Sequence, residues 1–168
     1  MTELIKEIAI TDGMRNRATI LANDLGELRN SITGGAGNVF GFIGEIMLGQ
    51  YLGLEAANSY DYDFVLPSGK TIDVKTKTTT VVPKLEYDCS VAAFNTKQKC
   101  DIYLFCRVNT NLKTGWILGW LTKDEFYDKA ERLKKGSLDK SNGYRVKASC
   151  YNVKIHELHD VDLLKNKC

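Results

Sequence analysis

Carboxylates set close to a lysine can hold a hard divalent cation and stabilise charge that builds up on a phosphate. The stretch DYDFVLPSGKTIDVKTKTTT, residues 61–80, brings those side chains together: Asp61, Asp63, Asp73, Lys75 and Lys77. Pro67-Ser68-Gly69 reads as a turn between two strands, 61–66 and 70–77. An antiparallel hairpin centred on Ser68 pairs Asp63 with Asp73 and Asp61 with Lys75. Strand alternation then puts Asp61, Asp63, Asp73, Lys75 and Lys77 on one face, with Phe64, Leu66, Ile72 and Val74 on the other. Two acids directly opposite each other destabilise a sheet. The pair therefore requires a cation, which a nearby lysine or a divalent metal ion can supply. The plainer alternative is a solvated, charged hairpin.

A third acid lies upstream. In VFGFIGEIMLGQYL, Glu45 and Gln50 are the only polar side chains between Asn38 and Tyr51. A helix apolar on nearly all sides is largely buried, and a buried carboxylate needs a partner. Gly41 and Gly49 flank Glu45 on its own helical face, leaving room for another backbone or a substrate. The alternative is a narrow polar strip at the surface.

The elements that must position these residues are legible in outline. Residues 12–30 predict an amphipathic helix from Met14, Ala18, Leu21, Leu25 and Leu28, with Asp12 as its N-cap. SITGGAG reads as a glycine-rich loop. Residues 38–53 predict a second helix, capped by Asn38 and stopped by Gly53. CDIYLFCRVN (100–109) and GWILGWLT (115–122) are strongly strand-like. LEYDCSVAA (85–93) is ambiguous, and FNTKQK (94–99) reads as a short helix or loop. A helix is expected over 123–136, closed by Gly136. One or two weaker strands follow over 144–158, then a short helix in the tail. The sum is an α+β or α/β-like fold in which helices cover a mixed central sheet.

Composition narrows the class. The 168 residues are 43% hydrophobic and 26% charged, with net charge +2, which fits a single soluble domain. No apolar run approaches the roughly 20 residues that span a bilayer, and acids in MTELIKEIAI argue against a signal peptide. Five cysteines, at 89, 100, 106, 150 and 168, form no CxxC pair. They argue against a disulfide framework or zinc site and for a reducing, cytoplasmic compartment. Lysines and arginines crowd the half after Lys113, either as a phosphate-facing surface or as ordinary solvated charge.

A helix Glu, an Asp on a strand, a turn, and then Asp-x-Lys on the next strand resembles the PD-(D/E)xK nuclease superfamily. Residues 38 to about 108 carry the resemblance, as a core within one domain of 1–168; residues 109–168 form a C-terminal extension. Glu45 matches the helix acid, Asp63 the first strand acid, and Asp73 with Lys75 the Asp-x-Lys pair, the only (Asp/Glu)-x-Lys in the chain. The motif's proline is absent, since Tyr62 precedes Asp63, and Asp61 is the alternative first acid. The resemblance implies a restriction-endonuclease-like core and a metal-dependent endonuclease acting on DNA. RNA cleavage, or nucleic-acid binding with little catalysis, are the alternatives. It also implies Mg²⁺, or Mn²⁺, held by Asp63, Asp73 and the Val74 carbonyl, with Glu45 joining directly or through water. Lys75 would orient the attacking water or stabilise phosphate charge. Lys77, Lys97 and Gln98 are the candidate nucleic-acid contacts. The small size fits a phage or repair-type enzyme, and double-strand cutting by one active site would favour a homodimer.

Other motifs carry less. TGGAGNVFGFIGE lacks the Gly-Lys-Ser/Thr ending of a phosphate loop. His156 and His159 have no third ligand pattern and read as surface histidines. Trp116 and Trp120, four apart in a strand, are expected on one face, packing rather than stacking on bases. Arg15 and Arg17 could line a groove.

Overall fold

A mixed five-stranded sheet with an apolar layer on each face organises the chain. The computed structural model describes residues 4–25, 38–57, 59, 61–93, 99–140 and 143–165. The sheet runs β1 (Lys6–Ala9), β6 (Thr114–Thr122), β5 (Ile102–Asn109), β3 (Thr71–Thr79) and β2 (Phe64–Val65). Only β3 and β5 are parallel. β5 alternates its side chains between the layers. Ile102, Leu104, Cys106 and Val108 meet α1 (Asp12–Leu25) and α2 (Asn38–Leu52), while Tyr103 and Phe105 face the opposite side. That opposite side is covered by α3 (Lys123–Lys129) and a second, three-stranded sheet. It orders β4 (Asp88–Ala92), β8 (Cys150–Lys154) and β7 (Glu131–Leu133). A short helix α4 (Asp162–Lys165) returns Val161 and Leu164 to the first layer. The fold is therefore α+β with a mixed central sheet, and no helix among the described residues is long and apolar enough to cross a membrane.

Several expectations are corrected. The first helix is capped by Thr11, whose hydroxyl accepts the Met14 N–H at 3.2 Å, and Asp12 instead pairs with Arg15. β1 is a strand that four residues were too few to announce. β6 lies between β1 and β5, so the segment after residue 108 is integral to the sheet. The helix expected over 123–136 stops at Lys129. Ala130 takes extended angles, and Glu131–Leu133 pairs with β8 so that Leu133 is buried.

Trp116 and Trp120 do not share a face: Trp116 packs in the second layer and Trp120 in the first. The β5–β6 register shifts between Phe105 and Cys106, skipping Leu118. Gly119 supports this bulge with φ of +140°, and a Cβ there would lie 2.6 Å from the His159 carbonyl. The bulge docks the tail. Trp120 and His159 exchange backbone hydrogen bonds, the Trp120 indole donates to the Asp160 carbonyl, and His159 Nε2 lies 2.7 Å from Glu125 Oε2. His159 is thus a structural latch, whereas His156 is exposed.

Glu125 also completes a capping box, accepting the Thr122 N–H while the Thr122 hydroxyl accepts the Glu125 N–H at 3.1 Å. Thr122→Ala is expected to lower stability by about 1 kcal/mol in urea unfolding.

Candidate active site

The hairpin register is the one the turn dictates. Phe64 lies opposite Ile72 and Val65 opposite Thr71, and Gly69 takes φ of +90° in the turn. Phe64, Leu66, Ile72 and Val74 pack toward α2, and Asp73 faces away, 6% exposed. β2 is shorter than the expected 61–66. Tyr62 packs into the second apolar layer and pulls the chain off the edge before Phe64. Asp61 consequently does not face Lys75. Its carboxylate accepts the Lys99 N–H at 3.3 Å.

Asp63 stays at the edge. Its N–H donates to the Ile72 carbonyl at 2.8 Å, and its Oδ2 accepts the Val74 N–H at 2.7 Å. A strand residue points its N–H and C=O to the same side, so the Val74 carbonyl faces the same edge as Asp63.

Glu45 reaches this edge from α2. Its carboxyl hydrogen-bonds the Asp63 side chain and feels the charge of Asp73. Burial first, then the hydrogen bond and charge of Asp63, then Asp73, push Glu45 up to about 9. It therefore holds a proton at neutral pH and donates it in the hydrogen bond to the Asp63 carboxylate. Across the strand, Lys75 Nζ lies 2.8 Å from Asp73 Oδ2 and 5.7 Å from the Tyr103 ring centroid. Glu45 thus meets Asp63, Asp73 pairs with Lys75, and the two pairs lie near enough for Glu45 to feel the Asp73 charge. Glu45 is closed on Asp63, and Asp73 on Lys75. Among the described residues, no three acid, histidine or cysteine side chains stand as a formed metal cage. In chemistry the donors suit a hard divalent ion: carboxylate oxygens and a carbonyl.

The close approach of α2 to β3 depends on a residue the sequence reading passed over. A Cβ on Gly44 would collide with the Thr76 hydroxyl, whereas Gly41 faces open space. Gly49 makes room for the Phe64 ring, 3.2 Å from where its Cβ would lie. A cavity of about 750 Å³ opens beside Glu45, lined in part by Arg17, Leu21, Phe42, Ile46 and Gln50. Arg17 reaches this groove. Arg15 does not, because its guanidinium is held by the Ile10 and Leu112 carbonyls at 2.9 and 2.8 Å. Lys97, Gln98 and the SITGGAG loop lie outside the described residues. Lys77 is exposed on the face that carries Asp73 and Lys75.

No protein-family model matches the chain, and a search of curated proteins finds no match either.

Proposed function

We propose that this protein is a metal-dependent nuclease that hydrolyses phosphodiester bonds in DNA. The observation that carries the reading is the contact of Glu45 from α2 with Asp63 of the hairpin, within the electrostatic reach of Asp73, which pairs with Lys75. Asp63, Asp73 and the Val74 carbonyl would hold Mg²⁺ or Mn²⁺, with Glu45 joining directly or through water. Such an ion supplies positive charge at the scissile phosphate and acidifies water there.

The chain's own groups do the rest. With the ion bound, Glu45 would release its proton to solvent and offer a carboxylate oxygen to the site. Asp73 fixes the ammonium of Lys75 within reach of the phosphate. Lys75 orients the attacking water or neutralises charge that develops on the phosphate oxygens.

Lys75→Ala is expected to retain Mn²⁺ binding by isothermal titration and to lose about 10²-fold in cleavage of DNA. Equal cleavage by variant and wild type would overturn the assignment of Lys75. Wild-type protein that binds no Mg²⁺ or Mn²⁺ and cuts no DNA would overturn the nuclease reading itself.

One observation favours a second reading, a nucleic-acid-binding protein on this fold with little catalysis. Asp73 is already paired with Lys75, and Glu45 with Asp63, so the charges are satisfied without a cation. Binding of DNA with no cleavage in either metal would select it. Comparing single-stranded, double-stranded and branched DNA with RNA fixes the substrate.

A further inference from the structure

Beyond Lys75, the same face of the sheet carries a second group of cations, Lys77 and Arg107, near which the one carboxylate felt by both is Asp88. Lys77 sits two residues along β3, and Arg107 lies directly beside it on β5. Two cations side by side across neighbouring strands repel. Nearby acids are committed elsewhere: Asp73 to Lys75 at 2.8 Å, and the Asp88 carboxylate to Lys154 at 2.7 Å. Arg107 donates from Nη2 to the Asp88 backbone carbonyl at 2.8 Å and lies over the Tyr87 ring. Its Nε is buried with no hydrogen-bond partner among the described residues. Lys77 keeps solvent contact, yet the surrounding protein, and then Arg107, hold its ammonium below the usual lysine range. Both side chains border a cavity of about 90 Å³ between β3, β5 and β4, which Lys75, Ser90 and Asp88, its carboxylate held by Lys154, also line.

We infer that Lys77 and Arg107 form a phosphate-binding site that takes the phosphodiester next to the one being cut. This rests on the nuclease reading. An oxyanion there supplies the acceptor that Arg107 Nε lacks and relieves the repulsion between the two cations. Lys75 and Lys77 point the same way one strand repeat apart, about 7 Å, comparable with the step between successive phosphates of a nucleic-acid backbone. The substrate strand therefore runs along β3, from the acid edge toward β4.

The test measures binding of a short labelled single-stranded DNA oligonucleotide in EDTA across a KCl series, beside Mn²⁺ titrations. Arg107→Gln and Lys77→Gln are each expected to weaken oligonucleotide binding about tenfold. Each should also reduce the slope of log K against log salt by about 1, with Mn²⁺ affinity unchanged. Lys77 is exposed, so its variant stays informative if loss of the Arg107–Asp88 contact disturbs folding. Wild-type affinity and salt slope in Lys77→Gln would overturn the site. So would displacement of the oligonucleotide by inorganic phosphate at equal concentration, which would mark a site for free phosphate. A wild type that binds the oligonucleotide with the predicted variant effects but never cuts it would sink the nuclease reading and leave this phosphate site standing.

Discussion

Glu45→Gln is expected to lower Mg²⁺-dependent cleavage on the order of 10³-fold, yet to make the metal-free protein more resistant to urea at pH 8. The first effect follows from removing an anionic oxygen from the metal's donor set. Charge stabilisation by such an ion is worth several kcal/mol, and each 1.4 kcal/mol or so is a factor of ten in rate.

The second effect follows from the Glu45 proton. The folded protein keeps the Glu45 proton up to about pH 9, whereas an ordinary glutamate releases it near 4.5. Between those values the native state binds one proton more than the unfolded chain, so stability falls as pH rises. The slope is at most about 1.4 kcal/mol per pH unit. Below the ordinary glutamate value the contribution is fully present, and it is lost as pH passes the folded value. Glutamine keeps an N–H donor for Asp63 and has no proton to release. The stability gap between variant and wild type should therefore be small at pH 5 and widen toward pH 8. Urea midpoints that stay parallel at both pH values would remove this account of the Glu45 proton.

How much of this was legible in the sequence depended on how local the determining forces are. The hairpin register was readable because Pro67-Ser68-Gly69 fixes the turn and the apolar alternation fixes the face. That was enough to set Asp63 beside β3, where its carboxylate accepts the Val74 N–H, and to put Lys75 on the side of Asp73. Gly53, with φ of +68°, ends α2 where a C-terminal glycine should.

What failed was decided at long range. Asp61 was expected on the same face as Lys75, but Tyr62 is drawn into the apolar layer beneath β4. Residues 130–136 read as helix, yet Leu133 is buried by pairing with β8, whose partner strand β4 lies about sixty residues earlier in the chain. The two tryptophans changed faces because Gly119 admits one extra residue into β6. Arg107 left a signal that could have been read: a charged side chain in an otherwise apolar strand, on the alternation that continues Tyr103 and Phe105.

Gly44→Ala is expected to damage both stability and cleavage although it changes no charged or catalytic group. Alanine favours a helix over glycine by about 1 kcal/mol, so on a solvent-facing position it would stabilise α2. Here the added Cβ is driven into Thr76, with the Thr76 Cβ and Cγ2 at 3.2 and 3.3 Å as well as the hydroxyl. Helix and strand must separate, and overpacking of this kind costs about 1–3 kcal/mol. A net loss of about 2 kcal/mol is expected in urea unfolding.

The functional loss should exceed what that destabilisation explains. Glu45 is the next residue, and a shift of α2 withdraws its carboxyl from Asp63. Displacements near 1 Å can cost on the order of 10²-fold in rate. Thr76 supplies the control. Its hydroxyl is buried without a hydrogen-bond partner among the described residues, so Thr76→Ala alone should cost little. Combined with Gly44→Ala it removes the colliding oxygen, and stability and cleavage should recover together. A double variant as impaired as the sum of its singles would show that the helix–strand contact at Gly44 and Thr76 does not set the position of Glu45.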